Sequence, residues 1–223
     1  PLSDTPRPGN AKFKKLTPVD PNSTNPYQLT EADRTVIGNT TPKFSGGFGL
    51  NATYKGFDMS MFFNFMYDFD VLNANKIMLT TWADNKENNF LMNIASDKRW
   101  RNFDDMGNEI RYSPEVLAEF NKNATMWNPT SIGRPICMSY AVEDGSFLRL
   151  NSATLGYTLP SVWTKKVGLS KVRFYVSGNN LFTLTGYSGY DPEVNIATGL
   201  TPNIDYNRYP RSRTYTFGAQ LTF

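Results

Sequence analysis

Arg213-Thr-Tyr-Thr-Phe-Gly-Ala-Gln-Leu-Thr-Phe223 alternates strictly between two kinds of side chain. Tyr215, Phe217, Ala219, Leu221 and Phe223 fall on one side. Thr214, Thr216, Gly218, Gln220 and Thr222 fall on the other. A period of two is the signature of an extended strand whose faces meet different environments. The apolar side begins and ends in rings, and the polar side carries small or uncharged groups. That combination predicts a strand with lipid on one face and a watery lumen on the other.

Four more segments carry the pattern. Phe44–Tyr54 sets Phe44, Gly46, Phe48, Leu50, Ala52 and Tyr54 against Ser45, Gly47, Gly49, Asn51 and Thr53. Phe57–Phe69 alternates Phe57, Met59, Met61, Phe63, Phe65, Tyr67 and Phe69 with a polar set interrupted by Phe62 and Met66. Lys171–Thr183 alternates through Val172, Phe174 and Val176. Ser146–Leu159 changes phase between Leu148/Leu150 and Ala153/Leu155/Tyr157/Leu159, which predicts a bulge near Asn151. Eleven residues at about 3.3 Å each reach roughly 36 Å. Tilted by about 45°, such a strand covers roughly 26 Å of bilayer, the height of a barrel's apolar band. Soluble strands are usually about half as long.

The fold class expected is therefore all-β: about five strands of a large antiparallel transmembrane β-barrel, with long extracellular loops and one short helix. Lys55-Gly56 makes a two-residue hairpin, and residues 160–170 make a second short turn. The stretches 1–43, 70–145 and 184–212 are long. Short turns on the periplasmic side and long loops outside match that spacing. In the 70–145 loop, Ser113, Pro114 and Glu115 predict a helix from Pro114 to about Lys122, capped by Ser113. Five strands cannot close a lipid-facing barrel. With no signal peptide at Pro1, a fragment of one larger barrel domain is expected, with plug and earlier strands outside these residues.

Composition narrows function by exclusion. There is no histidine, a single cysteine (Cys137) and a net charge of +3. A His-based triad is impossible, a cysteine zinc site is impossible, and no basic stripe points to nucleic acid. Cys137 is expected as a small packed residue. The acidic pairs Asp104/Asp105 and Asp191/Glu193 fall in loops and are expected to be solvated rather than catalytic. Asp191-Pro192-Glu193 is expected to order the last loop, with Arg208, Arg211 or Arg213 as partners. Gly46-Gly47-Phe48-Gly49 lies inside a strand and is expected to admit a plug or a neighbouring strand. No catalytic residue, metal ligand or cofactor is expected.

Several ordered motifs resemble the SusC/RagA-like TonB-dependent outer-membrane transporters. They are Asp33-Arg-Thr-Val-Ile-Gly38 with Pro42-Lys43, Tyr54-Lys-Gly-Phe-Asp58, Asp144 to Pro160, Val172 to Thr183, Gly189-Tyr-Asp-Pro-Glu193, Tyr209-Pro210, and the closing Thr216 to Phe223. The resemblance runs from about residue 31 to the end. It implies the last strands of a 22-stranded plugged barrel in the outer membrane of a Gram-negative bacterium. It further implies import of oligosaccharides or peptides, energy delivered through TonB, a SusD-like surface lipoprotein as lid, and no enzyme activity. The residues preceding Asp33 depart from the family's calcium-loop-like pattern: Lys14 to Pro26 carries one carboxylate, Asp20, so no metal is expected there.

Candidate contacts with substrate or lid are Trp82, Trp127, Asn179, Asn180, Tyr187, Tyr190 and Asp191. The tryptophans of the long loop (Trp82, Trp100, Trp127) either meet cargo or pack within the loop. Asn179 and Asn180, placed near the strand's outer mouth, either bind cargo or hold the loop. Phe223 is expected as the signal read by the barrel assembly machinery, with outer-membrane lipid against its face. A passive porin or adhesin barrel, and a soluble carbohydrate-binding β-sandwich, are the alternatives.

Overall fold

The computed structural model describes residues 7–81, 91–94, 98–132, 136–194 and 202–223. Two units make up the chain: residues 1–37 with 74–141, and residues 38–73 with 142–223.

The second unit is built on a five-stranded antiparallel sheet. In chain order its strands are β1 (Phe44–Tyr54), β2 (Phe57–Tyr67), β5 (Phe147–Thr158), β6 (Lys171–Thr185) and β8 (Thr214–Thr222), and in space they lie side by side in that same order. A smaller sheet joins β3 (Asp70–Asn73), β4 (Val142–Asp144) and β7 (Ile204–Asp205), with β3 central, antiparallel to β4 and parallel to β7.

Register puts like with like. Phe48 faces Phe63, with ring centroids 4.9 Å apart, and Phe57 faces Tyr157 at 4.5 Å. Continued across the sheet, one face reads Leu50, Met61, Ala153, Gly178 and Tyr215 in a row, and Ala52, Met59, Leu155, Val176 and Phe217 in the next. No charged residue occurs on this face between Phe44 and Leu221. The opposite face is mainly polar, interrupted by Phe62, Met66 and Phe147. Five strands about 4.8 Å apart and about 36 Å long present on the order of 800 Å² of such surface. That exceeds the few hundred Å² of contiguous apolar patch usual on a water-soluble monomer. Most of its rings stay exposed, with Phe217 at 80% and Tyr54 at 69%, while Phe63, Phe65 and Tyr157 are half-buried.

The hairpin between β1 and β2 turns at Lys55 and Gly56, both with positive φ (45° and 89°), the type I′ pattern whose twist suits paired strands. Between β5 and β6 the chain makes a short helical turn, Ser161–Thr164 followed by Lys165–Val167, and Gly168 ends it at φ 76°. The expected bulge is at Asn151. Leu150 pairs with Phe63 and Phe182, Ser152 with Phe62 and Asn179, and Asn151 is left out of the ladders. Across from it Asn180 takes a left-handed φ of 52°.

Four expectations need correction. The second strand stops at Tyr67 rather than Phe69, because Asp68 turns left-handed (φ 59°). Asp68 is held there by a bond from its N–H to Ser146 Oγ (2.9 Å) and by an ion pair with Lys43. Its short polar side chain makes that backbone tolerable. The stretch 70–145 is not merely loop, since β3 leaves with it and β4 returns with it, paired from Asp70/Asp144 to Leu72/Val142. The helix in that stretch is Pro114–Phe120, two residues shorter than expected, and the Ser113 side chain makes no capping bond. Asn121 ends it instead: its Nδ2 donates to Leu117 O (2.8 Å) and Arg101 O (2.9 Å), and its Oδ1 accepts from Arg101 N (2.7 Å). Cys137 is exposed, and Met138 beside it takes the buried place.

The first unit contains the turn Glu31–Asp33, the helix Ala74–Met78 and the helix just described. Among the described residues no helix is long and apolar enough to cross a membrane, a statement that does not bear on crossing by strands.

Candidate functional site: the polar face and the loop seated on it

The polar face holds two arginines in different surroundings. The first is Arg149 of β5, whose register partners are Asn64 and Thr183. It is 1% exposed. Its Nη2 donates to Asp191 Oδ1 at 2.5 Å, and its Nη1 lies 3.3 Å from Glu193 Oε2. Glu193 Oε1 in turn accepts from Arg211 Nη2 at 2.7 Å. Asp191 Oδ1 also accepts the Glu193 N–H (2.9 Å), which folds the chain around the buried Pro192. Burying charge is costly unless it is paired, and here two carboxylates surround one guanidinium.

The residues before Asp191 are tied down as well. Tyr187 is buried with Phe69, Val71, Phe147 and Val194, and its hydroxyl donates to Asp205 Oδ2 at 2.7 Å. Burial, aided by that carboxylate, pushes the Tyr187 phenol far above its usual range. Ser188 donates from its N–H and its hydroxyl to Glu143 (3.0 and 2.8 Å), and Asn73 Nδ2 reaches the same carboxylate at 3.1 Å. At Gly189 any Cβ would collide with the Tyr187 ring. Between these anchors Tyr190 is 82% exposed.

The second arginine is Arg173 of β6. Its Nε and Nη2 donate to Asp58 Oδ1 (2.9 Å) and Oδ2 (2.5 Å) on β2, a forked pair. The strand β5 lies between them. Gly156 leaves the gap: a Cβ there would collide with the guanidinium. Likewise Gly218 of β8 leaves room for the Tyr175 ring. Gly46 and Gly47 lie beneath rings of their neighbour strand, with a Gly47 Cβ only 2.8 Å from Phe62 Cζ. Of the two occupants expected for that glycine run, the described contacts show the neighbouring strand.

The other expected residues are scattered. Trp127 belongs to the first unit, where Nε1 donates to Thr80 O (3.3 Å) and the ring meets Tyr140 edge-on at 4.8 Å. Trp82 lies outside the described residues. Asn179 is exposed and Asn180 donates from Nδ2 to Ser212 O (3.1 Å). Both stand mid-strand, since β6 runs on to Thr185. Phe223 is 90% exposed, and its carbonyl accepts from Ser170 Oγ (3.2 Å). Asp191 is buried rather than solvated, and of the three arginines expected near Glu193 it is Arg211 that meets it. Arg149 was not expected, because 42 positions separate it from Asp191. The available signal was one arginine on the polar register of an otherwise apolar run, Phe147-Leu-Arg-Leu150. Asp105 is solvated as expected, its side chain 78% exposed beside Arg101.

In the first unit the Asp33 carboxylate closes a loop. It accepts from the N–H groups of Leu16 (2.8 Å), Thr17 (2.7 Å) and Thr30 (2.8 Å), and from the Thr17 hydroxyl (2.8 Å). These bonds, first the one from Thr17 N–H, hold its carboxyl far below the usual carboxylate range. The Lys15 ammonium sits in the same nest, 2.8 Å from Thr17 Oγ1, 2.9 Å from Gln28 O and 3.6 Å from Asp33.

No family model matches the chain. It is 35% identical over 202 residues to the TonB-dependent receptor P3 of Formosa agariphila, covering 88% of this chain and 18% of that receptor. Over 88 residues it is 38% identical to the TonB-dependent receptor SusC of Bacteroides thetaiotaomicron, covering 38% of this chain and 8% of SusC. Its coordinates align with the RagAB peptide importer in the open-open state with a TM-score of 0.63 at 25% identity, covering 88% of this chain and 19% of that one. The closed-closed state gives 0.64 with the same identity and coverage. The chain belongs to the SusC/RagA-like TonB-dependent receptors. It spans less than a fifth of the length of the first relatives it matches. In this receptor segment, the five-stranded sheet corresponds to a stretch of barrel, and the seated loop lies on the sheet's polar side.

Proposed function

We propose that this receptor segment forms part of the wall and outer loops of a plugged outer-membrane barrel that imports oligosaccharides or peptides. Energy comes through TonB, and a SusD-like lipoprotein covers the outer mouth. The observation that carries the reading is the pairing of opposite faces. A continuous ring-bearing apolar face suits lipid, and the polar face behind it carries a buried ion cluster and a folded loop, as a filled lumen requires. In this reading the 55–56 and 159–170 turns are periplasmic, and residues 1–43, 70–145 and 184–212 lie outside. Tyr190 and Trp127 are offered to cargo or lid. Phe223, which follows β8 on the register of its apolar face, is the contact for the barrel assembly machinery, so Phe223→Ala lowers insertion more than transport per inserted barrel.

The test is uptake by cells carrying the full-length receptor, fed labelled maltooligosaccharides in one arm and a labelled casein digest in the other. Uptake of one pool that stops on adding an uncoupler, and that needs TonB, is the expected result. Uptake that continues with the membrane de-energised overturns the reading in favour of a passive pore.

A further inference from the structure

We infer that Arg149 is a positioning residue that locks residues 187–194 to the sheet as a fixed part of the lumen wall, so that Tyr190 is presented rigidly and opening at this end comes from other loops. The inference rests on the barrel reading for its word "lumen"; the lock itself rests on contacts within this chain.

An exposed loop that moves as a gate is held by few and solvated contacts. This one is held differently. Asp191 and Arg149 are both nearly excluded from water, and Asp191 cannot leave without stranding a buried guanidinium. Glu193 Oε2 lies 3.3 Å from Arg149 Nη1 as an ion pair without a hydrogen bond, and its Oε1 is held by Arg211. Upstream, Tyr187 and Ser188 are bonded to Asp205 and Glu143, two residues of the small sheet. Val194 is 1% exposed and packs with Phe69, Val71 and Phe147. Every described residue from 187 to 194 except Tyr190 thus has a polar anchor, a buried place or a glycine fitted against a ring. Tyr190 turns out without such an anchor, between the exposed but bonded Ser188 and the buried Asp191. A ring so held loses little freedom when a flat apolar group stacks on it.

The experiment is limited digestion of the purified full-length receptor in detergent with chymotrypsin, reading the Tyr190–Asp191 cleavage product by mass spectrometry. Cleavage needs a stretch of chain to unfold locally, so exposure of the ring alone does not permit it. The parent protein is expected to resist. Arg149→Gln is expected to be cut at this bond more than about tenfold faster, since the opening free energy sets the rate. Arg149→Lys, which keeps the charge and loses the fork, falls between. Heat-modifiable migration on gels checks that each barrel is folded. If Arg149→Gln does not fold, Asp191→Asn carries the same expectation. Rapid cutting of the parent, or equal resistance of a folded Arg149→Gln or Asp191→Asn variant, overturns the lock. Digestion of intact cells that lack the SusD-like partner separates the two readings. Cutting of the variant in detergent but not on cells leaves the lock standing and overturns the outward placement of this loop.

Discussion

Arg149 and Arg173 stand on one polar face, on neighbouring strands, and each holds carboxylate. Arg149 sits under a loop, with its side chain 2% exposed; Arg173 lies along the sheet with 20% of its side chain exposed. One ties a loop to a strand and the other ties two strands across a third. The difference teaches that the same residue type on the same face does separate jobs, according to whether water can replace its partner. Where water is excluded, losing the partner leaves a bare charge. Where water remains, it takes over much of the lost interaction.

The largest effect expected is therefore at Arg149. Arg149→Gln strands the buried Asp191, while Glu193 keeps Arg211, and should cost about 3–5 kcal/mol, read as a lower urea midpoint for the folded barrel. A midpoint unchanged from the parent would erase the distinction between the two arginines. Next is Gly156→Ala, whose Cβ meets the movable end of the Arg173 side chain and displaces it from Asp58, and which should lower the same midpoint clearly less than Arg149→Gln does. Asp58→Asn, which removes the charge and keeps the shape, should do less than Gly156→Ala; a larger loss would mean that charge matters more than space at this site. At the β1–β2 hairpin, Gly56→Ala forces a side chain into φ 89° and against Thr158 O, 2.9 Å from its Cβ. About 1–2 kcal/mol is expected there.

The smallest effect concerns pH. Asp33 has its folded carboxyl depressed, so its contribution is complete above the unfolded value, about 3.9, and is lost only as pH falls through the lower folded value. The Leu16 and Thr17 amides should keep the same intrinsic-rate-corrected exchange protection at pH 7 and pH 4.5. Asp33→Asn should weaken it at both. Protection lost between those two pH values in the parent would contradict the depressed carboxyl.

The long strands were legible because burial on one face alone writes a period of two. Phe44–Tyr54 came out with the bounds expected, and the phase change at Asn151 located the bulge. The three short strands were not legible, since β3, β4 and β7 run four, three and two residues, too short for periodicity to register. The ion cluster failed for another reason. Sequence proximity suggested Arg208, Arg211 and Arg213 for the acids of the last loop, but the decisive partner comes from β5. Pairing of β5 with β6 is what carries Arg149 under that loop, and register is a property of the assembled sheet. The exposed Tyr190 was legible only as a residue type; what pins its neighbours was not.

The gap at Gly156 has one further consequence. Asp58 and Arg173 can join only when β5 lies between their strands with its glycine beneath the guanidinium. A two-residue slip of β5 keeps each side chain on its proper face, so the alternation of polar and apolar residues does not penalise it. Such a slip, however, slides Thr154 or Thr158 into the gap and shuts it. The clip thus disfavours a register error that hydrophobic patterning tolerates.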